Sequence, residues 1–162
     1  MRLNKRSYIE GYLASLVLAM GLSILPLPVF LKVVNPDWVL LVLIYWVLRM
    51  PEKVGVFNAW LVGLLVDVLT GRLFGIHALA YAIVCFFYLK IHKRLRQYPL
   101  PQQTLFVFCG LLFSQIMLYW IETLQGKVGI SLIFWLPVLT SALFWPVINI
   151  GLRYFRISGH IN

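Results

Sequence analysis

Charge is what this sequence has least of. Of 162 residues, 12% are charged and only 5 are acids, whereas 62% belong to the hydrophobic set. A soluble domain is about half apolar and about a quarter charged, so the chain departs in the same sense on both counts, with a mean hydropathy of +0.90. So few charges cannot hydrate a globule of this size, and a lipid bilayer is the implied solvent. That excludes a disordered chain. Cysteine is scarce too: Cys85 and Cys109 both lie in apolar stretches, which excludes a disulfide scaffold and leaves packing as their role. Also missing are a nucleophile elbow, a P-loop and a dinucleotide fingerprint. His77, His92 and His160 are scattered, with no cysteine or carboxylate at ligand spacing. The expectation is therefore no enzyme, no metal and no cofactor. Six spanning helices at about 20 residues each would take about 120 positions, which leaves no room for a water-soluble catalytic domain.

What is present is a succession of apolar runs. The expected fold class is all-α, a single polytopic membrane domain of six transmembrane helices with both termini cytoplasmic, spanning 9–31, 36–50, 54–69, 73–89, 105–124 and 130–152. Arg2, Lys5 and Arg6 before the first run imitate a signal peptide, but the run is too long and Pro26 and Pro28 stand where a cleavage site would fall. A turn is expected at Lys32 to Asn35. Next, Asn35 is the candidate N-cap, Pro36 the first helical position, Asp37 an acid in the first turn and Trp38 an interfacial aromatic. Pro51 disfavours helix at Met50 and separates the second and third spans by a hairpin. The second helix, about 22 Å long, falls short of a hydrocarbon core of about 30 Å. It is expected to lie against other helices or at a thinned edge of the bilayer.

The basic residues orient this arrangement. With the N-terminus inside, eleven Lys and Arg fall on cytoplasmic segments, and three, Lys32, Arg72 and Lys127, fall outside, as the positive-inside rule requires. The net charge of +9 is then a matter of orientation. Nucleic acid is not an expected partner, since no basic run is interleaved with exposed aromatics. The cytoplasmic basic loop Lys90, Lys93, Arg94 and Arg96 is a topology determinant, a contact for anionic lipid and the largest cytoplasmic handle for a docking protein.

Three constellations stand out. Gly55, Ala59, Gly63, Asp67 and Gly71 recur every fourth residue along the third span, a small-residue stripe inclined to the helix axis that suits a crossing helix, either within the chain or from a partner. Asp67 is an acid within a span, a costly placement that marks a cap, an ion pair with Arg72 if the helix ends between them, or a direct partner or ligand contact. An intramembrane aspartyl protease would need Asp37 and Asp67 to converge, and the Asn-containing motifs of lipoprotein signal peptidases are absent around Asp67. Gln115 and Glu122 share one face of the fifth span with Ser114 and Tyr119 nearby, and Pro137, Ser141, Trp145 and Asn149 form a series in the sixth. Gln115, Glu122 and Asn149 are candidates for interhelical hydrogen bonds or for the polar lining of a solute pocket.

The segment Asn35-Pro36-Asp37-Trp38 through Tyr45-Trp46, followed by Gly63, Asp67, Gly71 and Gly75 at four-residue spacing, resembles the MreD family of bacterial rod shape-determining membrane proteins. Size, the expected topology and the Trp120-Ile121-Glu122 and Trp145-Pro146 elements agree. The resemblance implies a non-enzymatic scaffold of the lateral wall elongation complex in the bacterial inner membrane. Its partners would be MreC and, directly or indirectly, MreB and the elongation peptidoglycan synthases, with a homodimer left open. It also implies a fold similar to the substrate-binding components of energy-coupling-factor transporters, which keeps a small-solute binding or transport component as the rival function.

Overall fold

The computed structural model describes residues 5–71, 75–126 and 132–158. The described residues are helical throughout their regular structure: α1 (Lys5–Ile24), α2 (Val29–Val34), α3 (Trp38–Arg49), α4 (Val56–Thr70), α5 (Ile76–Leu95), α6 (Leu100–Leu124) and, after a 3-10 turn over Leu132–Trp135, α7 (Leu136–Ser158).

The bundle is built around α3. Every residue from Val39 to Leu48 is apolar or aromatic and buried, so this helix has no lipid-facing side. Helices α1, α5, α6 and α7 all pack on it. Trp46 donates its indole N–H to the Ser15 hydroxyl at 2.9 Å, and Tyr12 meets the Trp46 ring edge-on at 5.7 Å. The Tyr12 hydroxyl in turn donates to Asn58 Oδ1 at 2.8 Å, tying α1 to both α3 and α4. The outer helices carry exposed Val17, Phe57, Leu65, Phe87, Leu105, Leu143 and Ile150. On a soluble monomer such apolar flanks would be an aggregation hazard; in lipid they face their solvent. By length and composition, Val29–Arg49, Ile76–Leu95, Leu100–Leu124 and Leu132–Tyr154 are long and apolar enough to cross a membrane, and Ile9–Ile24 and Val56–Thr70 are shorter apolar helices.

Helices α4 and α5 form the tightest pair. A Cβ on Gly63 would stand 2.6 Å from the Ala78 nitrogen and 2.7 Å from the His77 carbonyl carbon, so only glycine permits this crossing. Gly71 ends α4 at φ 63° and Gly75 opens α5 at φ 100°, left-handed conformations in which a side chain is strained.

Several boundaries differ from the sequence expectation. The run 9–31 is not one helix: α1 stops at Ile24, and the segment holding Pro26 and Pro28 precedes a separate α2, because a proline inside a helix removes a donor and clashes with the preceding turn. Lys32 to Val34, expected as a turn, belong to α2. The N-cap of the next helix is Asp37, whose carboxylate accepts from the Leu40 N–H, and Asn35 instead accepts from the Trp38 indole at 2.8 Å. Lys90, Lys93 and Arg94 are not on a loop; they occupy the last turns of α5, which runs to Leu95, where cations complement the negative end of the helix dipole. The expected fifth span begins earlier, at Leu100, with Pro101 in the first turn. Positions 73, 74, 130 and 131 of the expected spans, and Arg72 and Lys127, lie outside the described residues.

Candidate functional site

Helices α3 and α5 both start at one end of the bundle and finish at the other. Their ends are partly buried, and in lipid a helix terminus must find its hydrogen-bond partners within the protein. At the starting end two aspartates do this. Asp37 caps its own helix through Leu40 N at 3.1 Å and receives the Tyr81 hydroxyl between its two oxygens, at 2.8 and 3.0 Å. The Asp37 N–H donates to the Ser141 hydroxyl at 2.8 Å, which donates onward to the Pro137 carbonyl. Asp67, wholly buried on α4, caps the neighbouring helix instead. It accepts from Gly75 N at 2.8 Å, His77 N at 3.1 Å and Ala78 N at 3.4 Å. It also holds the His77 ring through Nδ1 at 2.7 Å, and that ring lies edge-on to Tyr81 at 5.7 Å. The carboxylates sit where the positive ends of two helix dipoles favour negative charge.

At the finishing end the chemistry inverts. Arg96 donates through Nε to the Leu48 carbonyl and through Nη2 to the Arg49 carbonyl, at the end of α3. Gln103 donates to the carbonyls of Leu95 at 2.9 Å and Tyr98 at 3.1 Å, at the end of α5. Asn149 completes this end by donating to Gln103 Oε1 at 3.3 Å. Lys93 and Arg94 are exposed beside it, and Lys90 stands over the Phe86 ring at 4.6 Å.

A cavity of about 850 Å³ opens among the helix ends on the aspartate side. Ser23, Lys32, Asn35, Asp37, Thr70, His77 and Gln115 supply its polar groups, and Leu118, Ile133 and Phe134 are among its apolar walls. The sequence-derived candidates are thereby sorted. Ala59, Gly63 and Asp67 are buried on α4, with Gly63 turned onto α5; Gly55 caps the start of α4, and Gly71 and Gly75 frame the turn. Gln115 reaches the cavity and anchors it by donating to the Phe134 carbonyl at 2.8 Å. Glu122, half-buried on α6, is not on the cavity lining, and Asn149 belongs to the opposite end. These three candidate lining residues therefore do not share one pocket. Pro36 is buried immediately before the Asp37 cap. Sequence reasoning missed His77, Tyr81 and Gln103. For His77 a signal existed, since a helix ending at Gly71 and restarting at Gly75 brings the first turn of α5 back to Asp67.

Asp37 and Asp67 do not pair with each other. Each is committed to a helix start, and no group of three metal-binding side chains occurs among the described residues. Polar groups that close helix ends, inside an apolar all-helical bundle, define an integral membrane protein whose conspicuous chemistry is architectural. The sequence profile of rod shape-determining protein MreD matches residues 6–155. The rod shape-determining protein MreD of Haemophilus influenzae is 30% identical over 147 residues, 89% of each chain. The chain belongs to the MreD family of rod shape-determining proteins. No solved structure matches it significantly.

Proposed function

We propose that the protein is a non-enzymatic scaffold of the bacterial lateral wall elongation complex, seated in the inner membrane by six spans with both termini cytoplasmic. In this reading it holds an MreC-like partner and couples it, directly or through other components, to MreB and the peptidoglycan synthases. Membership in a rod shape-determining family over most of the chain is the observation that carries the reading. The fold adds a constraint. Because Gly63 is turned onto α5 within the chain, a partner helix would meet the exposed apolar flanks of the outer helices and not the Gly63 crossing. Depletion in the host is expected to round the cells, and a single-span coiled-coil protein is expected to co-purify from native membranes. Rods that persist on depletion, with no such protein recovered, would reject the scaffold.

A second reading, small-solute binding as in the substrate-binding components of energy-coupling-factor transporters, is supported by the cavity on the aspartate side. Its volume of about 850 Å³ lies within the range of pockets that enclose small molecules.

A further inference from the structure

The polar groups of that cavity are unequal in what they still offer. Ser23 has given its hydroxyl proton to the Ala19 carbonyl at 2.9 Å, and Thr70 has given its own to the Val66 carbonyl at 2.7 Å. Gln115 uses one of its two amide N–H groups on Phe134. Each is left facing the cavity with oxygen lone pairs, because a hydroxyl has one proton and two lone pairs, and an amide oxygen only accepts. The fourth group is the Asp37 carboxylate. It is half-buried and bonded by Tyr81 and Leu40, and its two carboxylate oxygens have lone pairs beyond those bonds. Asp37 thus adds carboxylate lone pairs to a set of acceptors. On the same lining the described cation is Lys32, exposed on α2. The cavity is far too large for a lone metal ion and has no ligand cluster for one among the described residues. Its remaining wall, with Leu118, Ile133 and Phe134, is apolar.

We propose that this cavity binds an organic amine, its protonated nitrogen on Asp37 and on the oxygens of Ser23, Thr70 and Gln115, its hydrocarbon part against Leu118, Ile133 and Phe134. The proposal rests on the solute-binding reading and gives it a ligand class. An ammonium brings several donors to hydroxyl oxygens whose own protons are already committed, and a charged donor to a carboxylate is the stronger kind of hydrogen bond. Lys32 and the Asn35 amide, on the same lining, are the donors that would compete.

The test uses the full chain in detergent and three probes of one shape, cyclohexylammonium, cyclohexanol and cyclohexanecarboxylate, at equal concentration and ionic strength. Cyclohexylammonium is expected to raise the unfolding temperature, and the other two are not. In Asp37→Asn the shift should disappear, with affinity weakened roughly tenfold or more; asparagine is itself a good helix N-cap, so the start of α3 survives the change. Gln115→Leu, which leaves Asp37 untouched, should weaken the same binding. Equal shifts from all three probes, or an ammonium shift that survives in Asp37→Asn, would overturn the amine assignment. So would a dominant carboxylate shift, which would put Lys32 in command. No shift from any probe would overturn solute binding itself.

Discussion

Asp67 shows how one buried carboxylate can be needed by more of the chain than its own helix. It satisfies three backbone N–H groups at the start of α5 and orients His77, from a side chain that is itself wholly buried. Asp67→Ala leaves those donors without partners, at about 1–3 kcal/mol for each group stranded; the variant is expected to unfold at much lower temperature in detergent, or to fail to accumulate in membranes. Asp67→Asn should fall between, because its amide keeps one accepting oxygen. Asp37→Ala should cost about 0.5–2 kcal/mol, the usual loss of a cap, readable as a lower unfolding temperature. The sequence told that Asp67 was an expensive residue in an apolar run, but not whom it served. Its partners are backbone groups, and backbone groups carry no letter in a sequence. Tyr81, which joins α5 to Asp37, was silent for a related reason: an aromatic in an apolar helix looks like packing until its hydroxyl is placed.

At the scale of elements, the α4–α5 crossing and the enclosure of α3 carry the strongest expectations. Gly63→Ala puts a methyl group into the backbone of α5, and overpacking of this kind costs about 1–3 kcal/mol or more. Both Gly63→Ala and Gly63→Leu are therefore expected to destabilise the chain alone, measured as thermal unfolding with no partner present; an unchanged unfolding temperature would show that the two helices can part at no cost. Leu43→Ala in α3, where Leu43 is 1% exposed, should cost about 2–5 kcal/mol through the cavity it leaves. Leu65→Ala, at 53% exposed on α4, should stay within about 0.5 kcal/mol. Comparing the two variants checks which leucines face protein and which face lipid. Elements were legible where a hydrophobic run met a strong breaker, as at the hairpin near Pro51. They were misplaced where two signals competed. The apolar run 9–31 outweighed Pro26 and Pro28 in the reading, and the charges of Lys90 to Arg94 suggested a loop although long basic side chains are comfortable in the last turns of a helix.

For the molecule as a whole, the charges that close helix ends are arranged by sign along the bundle. Aspartates close the starting ends of α3 and α5, and Arg96 closes the finishing end of α3. The basic cluster beside Arg96 lies at the end that the positive-inside rule assigns to the cytoplasm. A reporter active only outside the cytoplasm is expected to be silent when fused after Arg96 and active when inserted at Gly71; the opposite pattern would invert the orientation proposed above. Composition made the solvent legible, because scarcity of charge is a property of the whole chain and needs no geometry. The cavity was not legible: its lining comes from residues as far apart as Ser23 and Pro137, and Gln115, Glu122 and Asn149, which shared a polar character along the chain, are sent to different places by the packing.

Because α3 is surrounded on all sides, its final place in the bundle depends on its neighbours, even though the run Val29–Arg49 is apolar enough to sit in lipid alone. It leaves the ribosome before α5, α6 and α7, which wall it in. During synthesis it therefore waits without most of its packing partners, and the assembly of the bundle is completed from the C-terminal half inward. A chain cut after α4 should consequently be a substrate for membrane proteolysis even though every residue of its own core helix is intact, and supplying α5 to α7 as a second polypeptide should protect it.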